Sequence, residues 1–593
     1  MGRCIGEAGA GGTSRRSGRS PPYNAAPDRQ RDFGHACDPP RPRRQRTGDA
    51  LPYAGTRRRP VGPPAAGRGP ADDTSLHRQD DQRGQRDCRE SGMTARLIVR
   101  GGSPIAAAIA IGLLACTTVH VRAQTTPATT EQAQPRNDLR AQVDAYMRAA
   151  VANDHFTGAV LLAHDGAPLF DAAYGMASYE LGVPNTPRTV FHIASLTKQF
   201  TAMAIMQLRD RGRLNVDDPI CTYLANCPPA WKPITIRHLL THTSGIRNVS
   251  SLTEWDDDLS LKHYTRAGFV DLFRALPLRF PPGDKYEYSN SGYFLLGLIV
   301  ERISGSGFGD YLEANIFKPL GMSHSGYDDN RAIVPGAASG YYSRGSSFIT
   351  ATYVDPSTRL GDTGIVSTTG DLLRWDQALY TEKLVSRHTL DEIFTPYKNG
   401  YAYGWEVGMR FGRRTAGHSG SDGGFSSYIL RFPDDRVTVI ILGNGDRMSA
   451  ARTAIDLSAM MFGASYKTPA SQLRDELWDS VERGSVAAAT ARFDRARSET
   501  PARADATGDT LVEVGYDLID ARKLVEADAI FRFGLQLFPK LTYAWDGLAD
   551  SAAARDDHGT AIDYFERSLK LDPSNDYAVR GLTNLRPALQ PAR

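Results

Sequence analysis

Cysteine is scarce in this chain and unevenly placed. Of six cysteines in 593 residues, four lie at or before Cys116, which leaves Cys221 and Cys227 as the pair carried by the body of the protein. Two thiolates with no second pair and no nearby pair of histidines lack the four ligands of a structural zinc site, so no metal is expected. The two close a short Pro-flanked loop, Cys221-Thr222-Tyr223-Leu224-Ala225-Asn226-Cys227. In an oxidising compartment such a pair is expected to form a disulfide.

Lysine is absent before Met93, and aliphatic residues there hardly cluster, although that stretch holds eighteen arginines and abundant Pro and Gly. It cannot bury enough apolar surface to offset the entropy of ordering it. Residues 1–92 therefore read as a disordered or untranslated leader, with Met93 the better start. Aromatic interleaving is missing and eleven acids are mixed in, which argues against a basic nucleic-acid-binding tail.

Long apolar runs are missing too. The run from Ile105 to Ala115 is too short to span a bilayer. With Arg96 and Arg100 before it and Val121-Arg122-Ala123 after it, it has the order of an export signal over 93–123. Leu113-Leu114-Ala115-Cys116 also resembles a bacterial lipoprotein processing box, so cleavage after Ala123 and lipidation of Cys116 both stay open. The expected location is periplasmic or secreted, with membrane attachment only through a lipidated Cys116. Cut after Ala123, the remaining 470 residues carry 49 basic and 56 acidic side chains, so the formal +3 of the whole chain becomes −7. No nucleic-acid partner is expected for the body.

What is present is an ordinary globular balance, 41% hydrophobic and 23% charged, with room for several domains. After a polar linker over 124–136, Asn137 or Asp138 caps an amphipathic helix in which Leu139, Val143, Tyr146, Met147 and Ala150 share a face. Gly158 to His164 and Pro168 to Tyr174 read as a hairpin turning at Asp165-Gly166. Phe425 to Phe432 and Arg436 to Gly443 read as late strands turning at Pro433-Asp434-Asp435. Helix, hairpin, a long helical middle and late strands imply an α+β domain over 137–465 whose sheet is assembled from distant pieces.

From 466 to 593 the pattern changes to Ala-rich, charged helices. Ala527 and Ala561, Phe531 and Phe565, and Pro539 and Pro573 are each 34 apart, and Leu511 aligns with Trp545. That period resembles the tetratricopeptide repeat. Two repeats are evident, from about Asp509 to Lys540 and from about Thr542 to Ser574; a helix from Asp576 would cap them, and Gln472 to Ala496 reads as a degenerate extra pair. Such repeats present a concave surface for a protein or peptide ligand, and packing against the preceding domain is an equally good reading.

Four short motifs carry chemistry. Ser195-Leu196-Thr197-Lys198 places a hydroxyl and an amine one helical turn apart, which gives a weak nucleophile a base. If Ser195 opens the helix, it also lies at the positive end of the helix dipole. His242-Thr243-Ser244-Gly245 closes a helix on a glycine. Tyr288-Ser289-Asn290 lies before an apolar helix, so Tyr288 and Asn290 can project from a loop into a cleft. His418-Ser419-Gly420 follows a strand and precedes Ser421-Asp422-Gly423-Gly424. Each has an ordinary structural reading as core aromatic, helix cap or strand histidine.

In this order the four resemble the motif set of the serine β-lactamase and penicillin-binding-protein superfamily, in its class C β-lactamase, DD-peptidase and esterase branch, from about Asp138 to Gly463. The resemblance implies an antiparallel sheet flanked by helices, with an all-helical lobe and the site between them. It implies Ser195 as nucleophile, Lys198 as its proton acceptor and Tyr288 as the second proton-transfer group. Asn290, His418, Ser419 and Gly420 would bind substrate, and the backbone N–H groups of Ser195 and Ser421 would form the oxyanion hole. Whether Lys198 or Tyr288 is the base stays open. No cofactor is implied. One motif departs: His-Ser-Gly stands where lactamases commonly carry Lys-Thr-Gly, so a fixed positive partner for a substrate carboxylate is missing. Esters or D-amino-acid peptides are then better candidates than β-lactams, with carboxylate substrates gaining toward acidic pH as His418 protonates. The alternative is a non-catalytic envelope interaction protein, but binding alone has no need of Ser195, Lys198, Tyr288 and Asn290 together.

Overall fold

The computed structural model describes residues 136–586 apart from 253, 257 and 330. The leader and the export signal expected from the sequence, Cys116 included, and nearly all of the expected linker lie outside the described residues. Six antiparallel strands form the central sheet: β1 (Gly158–His164), β2 (Ala167–Tyr174), β3 (Glu406–Arg410), β4 (Arg413–Asp422), β5 (Phe425–Phe432) and β6 (Val437–Gly443), in the spatial order β3-β4-β5-β6-β1-β2. Asp165 and Gly166 both take positive φ in the β1–β2 turn, as the Asp-Gly hairpin signal predicts. The other edge of β1 pairs with β6, Gly158 opposite Gly443. The sheet is thus built from the two ends of the domain, and the α+β fold expected from the sequence is the one observed.

Among the helices of the domain are α1 (Arg136–Asn153), α2 (Thr197–Asp210), α3 (Asn290–Ser304), α4 (Thr369–Ala378) and α5 (Ala450–Met461). Strand alternation divides its core. Ala159, Leu161 and Ala163 of β1, Ile429 of β5 and Ile440 and Leu442 of β6 pack with α2, α3, α4 and the rest of the helical lobe. Val160 and Leu162, Leu430 and Phe432, and Val439 and Ile441 face the other way, onto Val143 and Met147 of α1 and Ala454 and Leu457 of α5. Where the sheet is covered on both faces its strands read as near-continuous apolar runs, as β1 and β6 do. Each fully buried aliphatic side chain contributes about 1.5–3 kcal/mol. The first helix contains both Asn137 and Asp138, the residues expected to cap it. In the lobe, Cys221 and Cys227 stand with Cα atoms 5.4 Å apart, within disulfide reach.

The chain then continues as α6 (Leu473–Arg483), α7 (Val486–Ser498), α8 (Gly508–Asp520), α9 (Leu524–Leu537), α10 (Thr542–Ala553), α11 (His558–Leu571) and α12 (Asp576–Leu585). Phe531 of α9 is wedged between Gly515 and Gly547, where a Cβ would come within 2.4 and 2.2 Å of its ring. Phe565 of α11 meets Gly581 in the same way, at 2.4 Å. Contact with the sheet domain runs through Arg447, which reaches Asp475 of α6 at 2.7 Å and Asp517 of α8 at 3.0 Å. Trp478 of α6 also lies on Gly345, at the tip of the hairpin formed by Tyr341–Arg344 and Ser347–Thr350.

Candidate active site

Ser195 lies in a single 3-10 turn, Ala194–Leu196, that runs straight into α2. It is therefore a turn ahead of the helix proper, still close to the positive end of the dipole. The preceding Ala194 takes a φ of 48°, a left-handed conformation that costs an alanine about 1–2 kcal/mol and is held by its surroundings. Lys198, one turn on, is fully buried. Its Nζ lies 2.9 Å from Ser195 Oγ, 2.8 Å from Asn290 Oδ1 and 3.0 Å from the carbonyl oxygen of Asp362. An ammonium satisfies all three oxygens; a neutral amine satisfies two and offers its lone pair to the Ser195 hydroxyl.

Burial brings the Lys198 amine down to about 7, against the opposing charges of Asp362 and Asp422. Burial likewise raises the Asp362 carboxyl to about 6, with Lys198 opposing. Above neutrality both have lost their protons, which leaves a carboxylate near a neutral amine.

The Tyr-Ser-Asn turn is held from outside. Ser289 is the N-cap of α3, accepting from Gly292 N–H, and its hydroxyl donates to Ile246 O at 3.1 Å. Asn290 N–H donates to Asn248 Oδ1 at 3.0 Å and its Nδ2 to Ser250 Oγ at 2.9 Å. These bonds leave Asn290 Oδ1 aimed at Lys198. Tyr288 presents its ring to the same amine, with Nζ 4.8 Å from the centroid. Loss of hydration pushes the Tyr288 hydroxyl well above its ordinary value, a hydrogen bond with Ser195 opposes it, and Tyr288 rests as a neutral phenol.

The His-Thr-Ser-Gly run does not close its helix on the glycine. That helix, Ile236–Leu240, ends at Thr241. Gly245, at φ 74°, instead lets the backbone pass Phe280, whose carbonyl oxygen would lie 2.2 Å from a Cβ.

Strand β4 runs alongside the Ser195 turn. Gly420 makes the approach: a Cβ there would fall 2.4 Å from Ile193 O and 3.1 Å from Ser195 N. Ser427 of β5 ties the same turn from the next strand, its Oγ donating to Ile193 O at 2.8 Å. Ser419 and Ser421, on either side of Gly420, are exposed, and Ser421 pairs with Ser426. His418 is buried, its Nδ1 2.6 Å from the carbonyl oxygen of Ser419 and its Nε2 2.9 Å from the Tyr401 hydroxyl. A carbonyl only accepts, so Nδ1 bears the hydrogen and Nε2 accepts from Tyr401. Burial, then the charge of Lys198, lowers His418 to about 3. Protonation of His418 in mild acid, expected from the sequence, is thereby overturned: the ring is enclosed and its acceptor nitrogen is already used.

Sequence reading passed over Asp362, Tyr401, Asn248 and Ser250. Asp362 touches Lys198 through its main-chain carbonyl, which every residue has, and the only signal is the turn-like Gly361-Asp362-Thr363-Gly364.

Comparison with known proteins gives the same frame. The Beta-lactamase family model matches residues 143–459. Penicillin-binding protein 4* of Bacillus subtilis is 32% identical over 340 residues, covering 53% of this chain and 74% of its own length. Protein flp of Staphylococcus aureus is 29% identical over 324 residues, covering 52% of this chain and 63% of its own, so under two thirds of that protein is spanned. The octameric penicillin-binding protein homologue from Pyrococcus abyssi superposes with a TM-score of 0.50 at 25% identity, over 58% of this chain and 81% of that one. With the family model matched over more than half of its length and a relative at that identity largely spanned, the chain belongs to the β-lactamase family, within the serine hydrolase superfamily.

Proposed function

We propose that the protein is an exported serine hydrolase that works through an acyl-enzyme at Ser195, on short esters or D-amino-acid peptides ahead of β-lactams. The observation that carries this reading is the buried Lys198 amine, brought to about 7 by burial and 2.9 Å from the Ser195 hydroxyl. A base with a pKa near the working pH combines the right protonation state with a strong pull on the proton. Lys198 takes the Ser195 proton as Oγ bonds to the carbonyl carbon. The oxyanion meets the backbone N–H groups of Ser195 and Ser421, each worth about 3 kcal/mol. The proton passes by way of Tyr288 to the leaving group as its bond to carbon breaks, and water then attacks the acyl carbon, with the same groups returning the proton to Ser195. Tyr288 serves as a relay and not as the resting base, because its phenol is neutral.

His418 bears on substrate choice by what it lacks. A buried neutral imidazole holds no charge for a carboxylate, so neutral esters and amides forfeit nothing at this position while carboxylate substrates do.

Export is supported by the signal-like 93–123 stretch and by the facing cysteines, which an oxidising compartment would bridge. For the C-terminal helices we adopt the tetratricopeptide reading: Gly547 and Gly581, like Phe531 and Phe565, are 34 residues apart and make equivalent contacts. A peptide or protein ligand of their concave face belongs to this reading. The test is hydrolysis of a short neutral ester by wild type and Ser195→Ala. Loss of at least a thousandfold in kcat from a variant with wild-type unfolding behaviour is expected, and unchanged turnover would reject the reading.

A further inference from the structure

His242 stands behind the site without touching its reacting atoms. It is buried at 1% exposure and takes a φ of 55°. Its carbonyl oxygen accepts from Glu287 N–H at 2.9 Å, and its Nδ1 accepts from Ser289 N–H at 3.1 Å. The chain from Glu287 to Ser289 is therefore clamped at both ends on one residue, with Tyr288 between the clamps. A backbone N–H can only donate, so Nδ1 must be the unprotonated nitrogen and Nε2 must bear the hydrogen. Among the described residues Nε2 has no hydrogen-bond partner. Around it lie the rings of Tyr288, Tyr401, Tyr293 and Tyr286, with centroids 4.2, 4.5, 5.0 and 6.0 Å from that of the imidazole. A ring protonated on both nitrogens would lose the Ser289 bond and place a cation in an aromatic box beside Lys198.

We propose that His242 is a positioning residue: its Nδ1, held as the acceptor for Ser289 N–H, fixes the turn that carries Tyr288 and Asn290 against Lys198. This rests on Ser195 being the nucleophile and Lys198 its base. The reasoning is geometric. Ser289 N–H is buried and needs an acceptor. Asn290 Oδ1 lies 2.8 Å from Lys198 Nζ, so a shift of about 1 Å in the turn breaks the amine's alignment, and misplacement of that size is costly to catalysis. Burial, followed by the charge of Lys198, holds His242 well below its ordinary value, which keeps Nδ1 available.

Two isosteric substitutions separate the nitrogens. Asparagine can place a carbonyl oxygen where Nδ1 stands, whereas glutamine places its amide near Nε2 and leaves Ser289 N–H unanswered. His242→Asn should keep kcat for a neutral ester within about threefold of wild type. His242→Gln should lower kcat about 10- to 100-fold with KM changed less than threefold, when compared at equal folded fraction by thermal unfolding. In wild type carrying 15N-histidine, NMR should show one buried imidazole protonated on Nε2 alone, assigned by its loss in His242→Asn. Equal kcat losses in the two variants, or an Nδ1-protonated imidazole at His242, would overturn the proposal. Failure of the function itself looks different: wild type would then not hydrolyse the ester at all, while the NMR tautomer would still decide the hydrogen bond.

Discussion

Lys198 has to be neutral to take a proton, yet three oxygens surround its nitrogen as they would an ammonium, and burial decides between the two states. Turnover of a neutral ester should therefore fall as pH drops through about 7, where the amine gains its proton, and level off above it. The Asp362 carboxylate raises the lysine, so Asp362→Asn should move that acid limb to lower pH; a limb that stays put or moves up would show that Asp362 does not act on the base. His418, at about 3, keeps one charge state from pH 5 to 8, so the ratio of kcat/KM for a neutral ester to that for a carboxylate-bearing analogue should be flat across this range. A ratio that shifts toward the carboxylate substrate in acid would contradict the neutral imidazole. At this scale the meeting of Ser195, Lys198, Tyr288 and Asn290 was legible because it was argued from side-chain chemistry and short spacings. Asp362 was not, because its main-chain oxygen does the contacting. The charge states of Tyr288 and His418 were not legible either, since both follow from enclosure by residues remote in sequence.

Elements set how closely these groups meet. Strand β4 can run against the Ser195 turn because residue 420 has no side chain, and Ile193 O would stand 2.4 Å from any Cβ there. Gly420→Ala should push strand and turn apart, lowering kcat at least tenfold and stability by about 1–3 kcal/mol. Wild-type kinetics in that variant, measured with a neutral ester and urea unfolding, would show that the close approach is not needed. Strands β1, β2, β5 and β6 were readable from runs dominated by apolar, aromatic and β-branched residues despite Asp171, Arg431 and Thr438 within them, whereas β3 was not, its Glu406 and Arg410 lying on an exposed edge. The cradle of the Tyr-Ser-Asn turn was not, because Ile246, Asn248 and Ser250 contribute a carbonyl, an amide and a hydroxyl from a loop whose spacing resembles no motif. The His-Thr-Ser-Gly run suffers the same limit: its glycine looks like a helix cap in sequence and serves a backbone crossing in space.

In the molecule as a whole, the C-terminal helices rest on the sheet domain through buried charge. Arg447 is 9% exposed and neutralises Asp475 and Asp517, which His155 and Arg474 also contact. Because those partners remain, Arg447→Ala should cost about 2–3 kcal/mol, below the usual toll for orphaning a buried ion. Denaturant unfolding should show the loss while ester turnover at low temperature persists; unchanged stability would mean that the contact carries no load. That a helical region follows the sheet domain was legible from its Ala-rich, charged sequence, whereas the residues that join the two were not, since Gly345 and Trp478 meet across distant segments.

Everything proposed for the chemistry depends on a covalent bond to one oxygen. Incubation of the purified protein with a fluorophosphonate or a penicillin, followed by peptide mass spectrometry, locates that bond. The expected result is one adduct per chain on the peptide containing Ser195, absent from Ser195→Ala and slowed in Lys198→Ala. An adduct on another residue, or no adduct from a folded protein that still hydrolyses esters, would contradict Ser195 as the nucleophile.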